Sequence, residues 1–460
     1  MRNRPPSLNA ALCFIASLAS AFAQTRISPA LVEQQTAPQA SQSAPLTLTL
    51  QDALGLAQKI DPQVLAALGE AAASAEDIRQ ARASRYPSLS GRSEYLGTEG
   101  NGKLSESRFV TNDGVHVYRE WAVLHQDFTA GTFKGTGIDR AAAAEAIARA
   151  RAEVVRRGLT PAVTKAYYAL IVAQRKYGTA QQSLDQARHS LDISQNLEHG
   201  REVAHSDTVK FQLQEIAQQQ ALREAQLAMQ SARLDLAALL FQDLNENFSV
   251  VDDLDKAPAL PELAEVQGMA VRENPTLRAA VSALRAADLD ISTARQAFLP
   301  SLSVDFVYGI EANAFALHST VAADPRLGPL PNLGYFVTAS LNIPVWDWGV
   351  RRSKVHQAEL KHEQAAVELS AAQRESIKNL RDFYEESRTA RDQVDLLRRA
   401  ADLASESLRL NGLRYQAGEA TVLELVDAQT TVTQARNAYD DGMARYRLAL
   451  ANLQTLTGTF

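Results

Sequence analysis

From Ser301, the residues Leu302, Val304, Phe306, Tyr308 and Ile310 alternate with Ser301, Ser303, Asp305 and Gly309. A period of two predicts a strand with one apolar and one wet face. Leu333, Tyr335, Val337, Ala339, Leu341, Ile343 and Val345 repeat the pattern against Gly334, Thr338, Ser340 and Asn342, so a hairpin is expected over 301–345. A second hairpin over 88–128 is less clean, because Arg119 and Glu120 interrupt Val117, Trp121 and Val123. These lengths match the roughly 9–11 residues of a tilted membrane strand. The same alternation also fits a soluble hairpin with one face on a core. Tyr95, Tyr118, Trp121, Tyr335, Trp346 and Trp348 near the strand ends suit the aromatic girdles of a membrane interface.

Around the hairpins the period becomes helical. Leu425, Val432, Tyr439, Tyr446 and Leu453 keep a seven-residue spacing, with Ala428, Ala435, Gly442, Ala449 and Leu456 three residues on. Large knobs alternating with small holes are what coiled-coil packing demands. Leu396, Leu403 and Leu410 form one stripe on the preceding helix, and Val394, Ala401 and Leu408 a second at another angle, enough to touch two neighbours. In the first half, Leu213, Leu227, Leu234 and Phe241 keep step, with Gln220 interrupting. Long helices are expected over about 138–196, 206–240, 350–410 and 421–456, and Pro161 should kink the first. About 59 residues at roughly 1.5 Å each span nearly 90 Å, so such helices must pack side by side in a bundle or tube.

The pattern is written twice. Asp61-Pro62 recurs as Asn274-Pro275, Asp77-Ile78 as Asp290-Ile291, and Tyr86-Pro87-Ser88-Leu89-Ser90 as Leu299-Pro300-Ser301-Leu302-Ser303, each 213 residues later. Tyr167-Tyr168 then matches Phe383-Tyr384. Each half runs short helix, alanine-rich helix ended before proline, hairpin and helix pair, giving a first repeat over 46–245 and a second over 246–460. Four strands cannot close a barrel, and an open edge is not tolerated in hydrocarbon. Several copies must pool their strands. Two would give eight strands with a filled interior, and three give twelve with room for a lumen.

Composition changes this picture little: 46% hydrophobic and 22% charged residues are ordinary globular values. Residues 1–23 read as a secretory signal, with Arg2 and Arg4, an apolar run from Ala10 to Ala19, and Ala21-Phe22-Ala23 as the cleavage site; 24–45 would be a linker. Losing two arginines makes the exported chain two units more negative than the formal −6, which disfavours nucleic acid as a partner. The only cysteine, Cys13, lies inside the signal, so disulfide and thiol chemistry are not expected. Past residue 24 no apolar run approaches the roughly 18–20 residues of a spanning helix. Gly131-Thr-Phe-Lys-Gly135-Thr-Gly137 lacks the Lys-Ser/Thr of a phosphate loop, and neither His199 with His205 nor His356 with His362 has metal-ligand spacing. No cofactor, metal or catalytic residue is expected, and the chain does not read as an enzyme.

The signal, the duplicated helix, hairpin and helix-pair units, the Pro-Ser-Leu-Ser at each strand start and Gly131 or Gly349 after each second strand resemble the TolC-type outer-membrane factor family. The likeness covers about residues 46–458. It implies a mainly α fold with membrane β: a long antiparallel α-helical coiled-coil barrel in the periplasm, and four β-strands per chain contributing to a trimeric twelve-stranded transmembrane β-barrel. It also implies a homotrimer in outer-membrane lipid that works with a periplasmic adaptor (membrane fusion protein) and an inner-membrane RND or ABC-type pump, in efflux or type I secretion.

The helix-pair turns are the periplasmic mouth in that family, and the resemblance makes Gly200, Val203, Ser206, Asp207, Tyr415, Gly418 and Thr421 adaptor-docking candidates. From the residues alone these are good helical hairpins, in which glycine permits the reversal and Ser206 or Thr421 caps the next helix. Glu424 and Asp427 share one helix face. They match the family's acidic entrance ring, which draws cations; otherwise they are a solvated face. The family's type member has an arginine two residues after the turn glycine that helps hold the mouth shut, where this chain has Ala420; Tyr415 and Asp207 match other members of that link. The rival reading is a periplasmic coiled-coil adaptor or scaffold, which should carry a single hairpin flanked by small β domains.

Overall fold

In chain order the elements are β1 (Leu46–Leu48), α1 (Leu50–Ile60), α2 (Pro62–Ala83), β2 (Ser88–Thr98), β3 (Val115–Phe128), α3 (Ala130–Lys134), α4 (Thr136–His199) and α5 (His205–Leu240). They continue with β4 (Phe248–Val250), α6 (Leu263–Glu273), α7 (Pro275–Gln296), β5 (Ser301–Ala312), β6 (Leu333–Asn342), α8 (Val350–Gln416) and α9 (Val422–Thr457). This computed structural model describes residues 46–98, 115–201, 203–256, 258–312, 317–318 and 331–458; the signal and linker read over 1–45 lie outside them.

Short polar motifs start the helices. Thr49 accepts the Asp52 N–H (3.3 Å) while the Asp52 carboxylate takes the Thr49 N–H (3.1 Å), a reciprocal box that opens α1. Asp61 and Asn274, each followed by proline at the first helical position, accept the N–H of Val64 (2.8 Å) and Thr276 (2.9 Å). The recurring Asp/Asn-Pro pair is thus a helix-start signal for α2 and α7.

The helices lie side by side in two tiers. In one, α2 packs on α4, α4 on α7 and α7 on α8; in the other, α5 packs on α4, α4 on α9 and α9 on α8. The long helices α4 and α8 run through both tiers, leaving α2 and α5 on one flank and α8 on the other. Where the tiers meet, β1 pairs in parallel with β4 and covers the aromatic pair of α4. Tyr167 donates to the Val251 carbonyl (2.8 Å), and burial pushes its hydroxyl up to about 12; Tyr168 donates to Asp253 (3.1 Å). Arg175, about two helical turns further along, holds Asp252 (2.7 Å) and Asp255 (2.8 Å) of the following loop and Asp440 of α9 (3.0 Å).

The second sheet is antiparallel, in the order β2-β3-β5-β6, with β2 and β6 as free edges within one chain. The register puts Leu89, Leu124, Phe306 and Val337 in one row across all four strands and Ser88, His125, Asp305 and Thr338 in the neighbouring row. Successive residues face opposite sides, so one face is largely apolar and the other polar.

Several expectations shift. The strand expected to reach Val345 stops at Asn342, because Pro344 has no N–H to give a ladder. Leu213, Leu227 and Leu234 are 63%, 68% and 53% exposed, so this stripe is not part of the chain's own core. Elements β1, β4 and α3 have no counterpart in the sequence reading, being three to five residues long.

Candidate functional site

Two regions carry the candidate residues: the turns joining the helix pairs, and the two faces of the four-stranded sheet. In the second turn, α8 ends at Gly418, which takes φ +74; its N–H reaches the Tyr415 carbonyl (3.0 Å) and the Glu419 N–H reaches the Arg414 carbonyl (2.8 Å). That pair of bonds satisfies the last carbonyls of the helix and needs a left-handed residue, which glycine supplies at no steric cost. Thr421 then accepts the Glu424 N–H (3.3 Å) and starts α9.

The first turn is built differently from the expectation. Gly200 has φ −72, and the left-handed residue is Arg201 at φ 62. Ala204, not Ser206, occupies the capping position of α5, without a side-chain bond; Ser206 lies inside the first helical turn, exposed. The sequence signal missed here is that a helix can end on a non-glycine left-handed residue. Val203 is half-buried, and Asp207 pairs with Lys210 (3.0 Å). Glu198, near the end of α4, is held below the usual carboxylate range by hydrogen bonds from Thr208 and His205, the latter at 2.8 Å.

Tyr415 does not join Asp207 in a polar link. It is buried against Phe211 of α5 (ring centroids 5.8 Å apart, edge to face) with Val422 and Leu425, its hydroxyl makes no well-formed hydrogen bond among the described residues, and burial pushes its pKa up, opposed in part by the Ser194 side chain. An apolar clasp therefore ties the tip of α8 and α9 to that of α5. Glu424 and Asp427 are both exposed on α9. The Arg414 guanidinium lies 3.7 Å from Glu424, whereas the Asp427 carboxylate has no cation partner among the described residues. Among those residues no group of three or more His, Cys, Asp or Glu side chains is arranged to hold a metal ion.

On the sheet, Tyr95, Tyr118 and Tyr335 lie on the largely apolar face, Tyr95 directly opposite Tyr118 (ring centroids 5.0 Å apart) and Tyr335 opposite Tyr308. Trp346 and Trp348 mark the other end, in the turn before α8, 74% and 88% exposed. Asp347 between them accepts the N–H of Gly349 (3.1 Å) and Arg351 (2.9 Å), which starts the helix and turns both indoles outward. Trp121 departs from the girdle reading. Register places it on the polar face with Arg119 and His125, because an odd number of positions separates it from Tyr118. The Arg119 guanidinium lies 5.3 Å from the indole and is itself fixed between Glu94 (3.0 Å) and Glu311 (3.0 Å). His125 is similarly fixed between Asp305 (2.6 Å) and Asp127 (3.2 Å). Of the two charged residues that blurred the first hairpin, Arg119 thus belongs to a paired network across β2, β3 and β5, whereas Glu120 lies on the other face and accepts a hydrogen bond from the Ser93 hydroxyl.

Among known proteins, residues 267–459 match the family described as outer membrane efflux protein. The chain is 26% identical over 312 residues to outer membrane protein OprJ of Pseudomonas aeruginosa, covering 66% of this chain and 61% of that protein. It is 24% identical over 170 residues to outer membrane protein TolC of Escherichia coli, covering 37% and 34%. The chain thus aligns with between a third and just under two thirds of the length of these relatives. Its fold matches the crystal structure of the Campylobacter jejuni CmeC outer membrane channel with a TM-score of 0.72 at 16% identity, covering 89% of this chain and 85% of that one. Residues 267–459 thus resemble the outer membrane efflux protein family, the relatives are similar over part of their length, and the fold is that of a known outer membrane channel.

Proposed function

We propose that the chain is the outer-membrane channel of a tripartite export assembly. Three copies would join their sheets edge to edge into a twelve-stranded barrel and their helices into a periplasmic tube. The carrying observation is incompleteness: among the described residues the four-stranded sheet has an apolar face and two unpaired edges, and the flanking helices carry leucine stripes that nothing covers. In lipid each unpaired backbone group costs several kcal/mol, so a β2-to-β6 pairing between copies is the arrangement that removes every edge. The apolar face would meet lipid, with its tyrosines at one interface and Trp346 and Trp348 at the other, and the polar face would line the lumen.

At the far end, the turns around Gly200, Val203, Ser206, Asp207, Tyr415, Gly418 and Thr421 would form the mouth that docks a periplasmic adaptor, and through it an inner-membrane pump of RND or ABC type. The repeats over 46–245 and 246–460 supply two such turns per chain. The channel is passive, and transport energy comes from the pump; no catalytic step is assigned. Extraction tests this reading against an adaptor or scaffold. A barrel protein stays in the outer membrane through carbonate washing, runs as a trimer before heating and conducts in planar bilayers; a scaffold washes off as water-soluble protein without conductance.

A further inference from the structure

The polar face of the sheet carries a cavity of about 510 Å³, within the size range of small-molecule sites. Its floor is Val307, only 5% exposed, and one wall is the Trp121 indole packed edge to face on Phe336 (ring centroids 5.8 Å apart). The strands make room for that indole. Trp121 lies opposite Gly309, and Gly309 lies opposite Gly334, so no side chain rises beside the ring on β5 or β6. A Cβ at Gly309 would come within 2.0 Å of the Glu120 carbonyl oxygen, so the close approach of β3 and β5 at this point depends on glycine.

The charges around the cavity are matched, with one exception. Glu94 and Glu311 are taken by Arg119, and Asp305 and Asp127 by His125. The side chain of Arg92, which lines the cavity on β2, has neither an ion pair nor a hydrogen bond among the described residues. An aromatic wall held rigid by Phe336 and Arg119 thus faces a guanidinium without a counter-charge, with the Ser90 and Thr338 hydroxyls at the margin. A planar ring bearing a carboxylate satisfies both halves. The ring packs on the aromatics, and the carboxylate accepts a paired hydrogen bond from the guanidinium. A cation of the same shape would meet Arg92 as a like charge.

We propose that this cavity is a binding site for aromatic carboxylates on the inner wall of the barrel. The inference rests on the channel reading only in taking the polar face as the wall of the lumen.

The test uses 1-naphthoate with purified full-length protein, measured by equilibrium dialysis in detergent and by interruption of ion current in planar bilayers. Neutral 1-naphthylmethanol and cationic 1-naphthylmethylamine serve as comparisons. Naphthoate should bind at least about tenfold more tightly than either, and Arg92→Gln should abolish that preference, a change equal to the loss of one strong charge-assisted contact. Trp121→Ala should weaken all three probes and Trp121→Phe should retain most of the binding; each variant is first checked as a heat-resistant trimer. Equal binding of the three probes, or naphthoate binding unaffected by Arg92→Gln, overturns the proposal. Absence of any probe-free current would instead count against the channel, while dialysis would still decide the site.

Discussion

At the scale of single residues, the tip of the second helix pair separates two kinds of contribution. Gly418 sits at φ +74 with nothing within 4 Å of a Cβ built on it, so Gly418→Ala meets only the backbone cost of a left-handed alanine, about 1 kcal/mol. Gly200 at φ −72 has no such requirement, and Gly200→Ala should be neutral within a few tenths. Hydrogen exchange of the amides around each turn measures both: protection should fall about fivefold at the second turn and hold at the first. Tyr415 poses a sharper question, because its position matches the family's polar link while its surroundings here are apolar. A buried hydroxyl without a partner adds nothing to stability, so Tyr415→Phe should be neutral or slightly stabilising, whereas Tyr415→Ala removes the ring that packs Phe211 and should cost about 3–5 kcal/mol locally. Conductance in bilayers gives the functional reading. An unchanged closed state in Tyr415→Phe and a leaky one in Tyr415→Ala mark an apolar clasp; a leaky Tyr415→Phe would restore the polar link.

At the scale of elements, α4, α9 and the loop after β4 are tied by Arg175, whose three carboxylate partners differ in setting. Asp252 is partly exposed and its pKa is lowered by the guanidinium, in spite of some burial; Asp440 has a side chain only 10% exposed, and burial pushes its pKa up even though Arg175 opposes the shift. Arg175→Met leaves Asp440 as an unpaired buried charge and should cost about 3–5 kcal/mol at neutral pH, and adding Asp440→Asn should recover much of that. The sign follows from proton binding: with its folded pKa raised, Asp440 binds a proton more readily folded than unfolded, so the Arg175→Met defect should shrink as pH falls through that pKa. Thermal melting between pH 7 and 4 checks this, and a defect that stays constant or grows on acidification would show that protonation of Asp440 does not relieve it. Most elements of this size were legible in the sequence, because helix caps at Asp61-Pro62 and Asn274-Pro275 and the alternation from Ser301 are local signals. The Arg175 cluster was not, since its carboxylates lie 77 to 265 residues from the arginine and only the fold brings them together. Trp121 was misjudged for a related reason: composition names an interface aromatic, but only the register says which face it is on.

At the scale of the whole assembly, charge and shape make separate demands. Of the two acidic residues proposed for the entrance, Glu424 is partly answered by Arg414 at 3.7 Å and Asp427 has no cation partner among the described residues, so Asp427→Asn should lower cation preference in planar bilayers more than Glu424→Gln, and Arg414→Gln should raise it. Equal selectivity in all three would remove the acidic ring. Assembly of the proposed trimer would depend on the leucine stripes of the two flanks. Counting from the turn, Leu227 is 22 residues up α5 and Leu396 is 20 residues from the end of α8, heights of about 33 and 30 Å at roughly 1.5 Å per residue, so stripes on neighbouring copies would meet at that level. Both are widely exposed in the single chain, 68% and 64%. Leu396→Lys should therefore cut the yield of heat-resistant trimer several-fold while leaving helix content by circular dichroism unchanged, and Leu227→Asp should do the same. Combined in one chain, the two substitutions place opposite charges at one level of the interface and should restore part of the trimer, an effect that salt weakens. If the double variant is as poor as the product of the single ones, the flanks meet with another pairing, and the level at which a charge pair does rescue assembly would give the true stagger between copies.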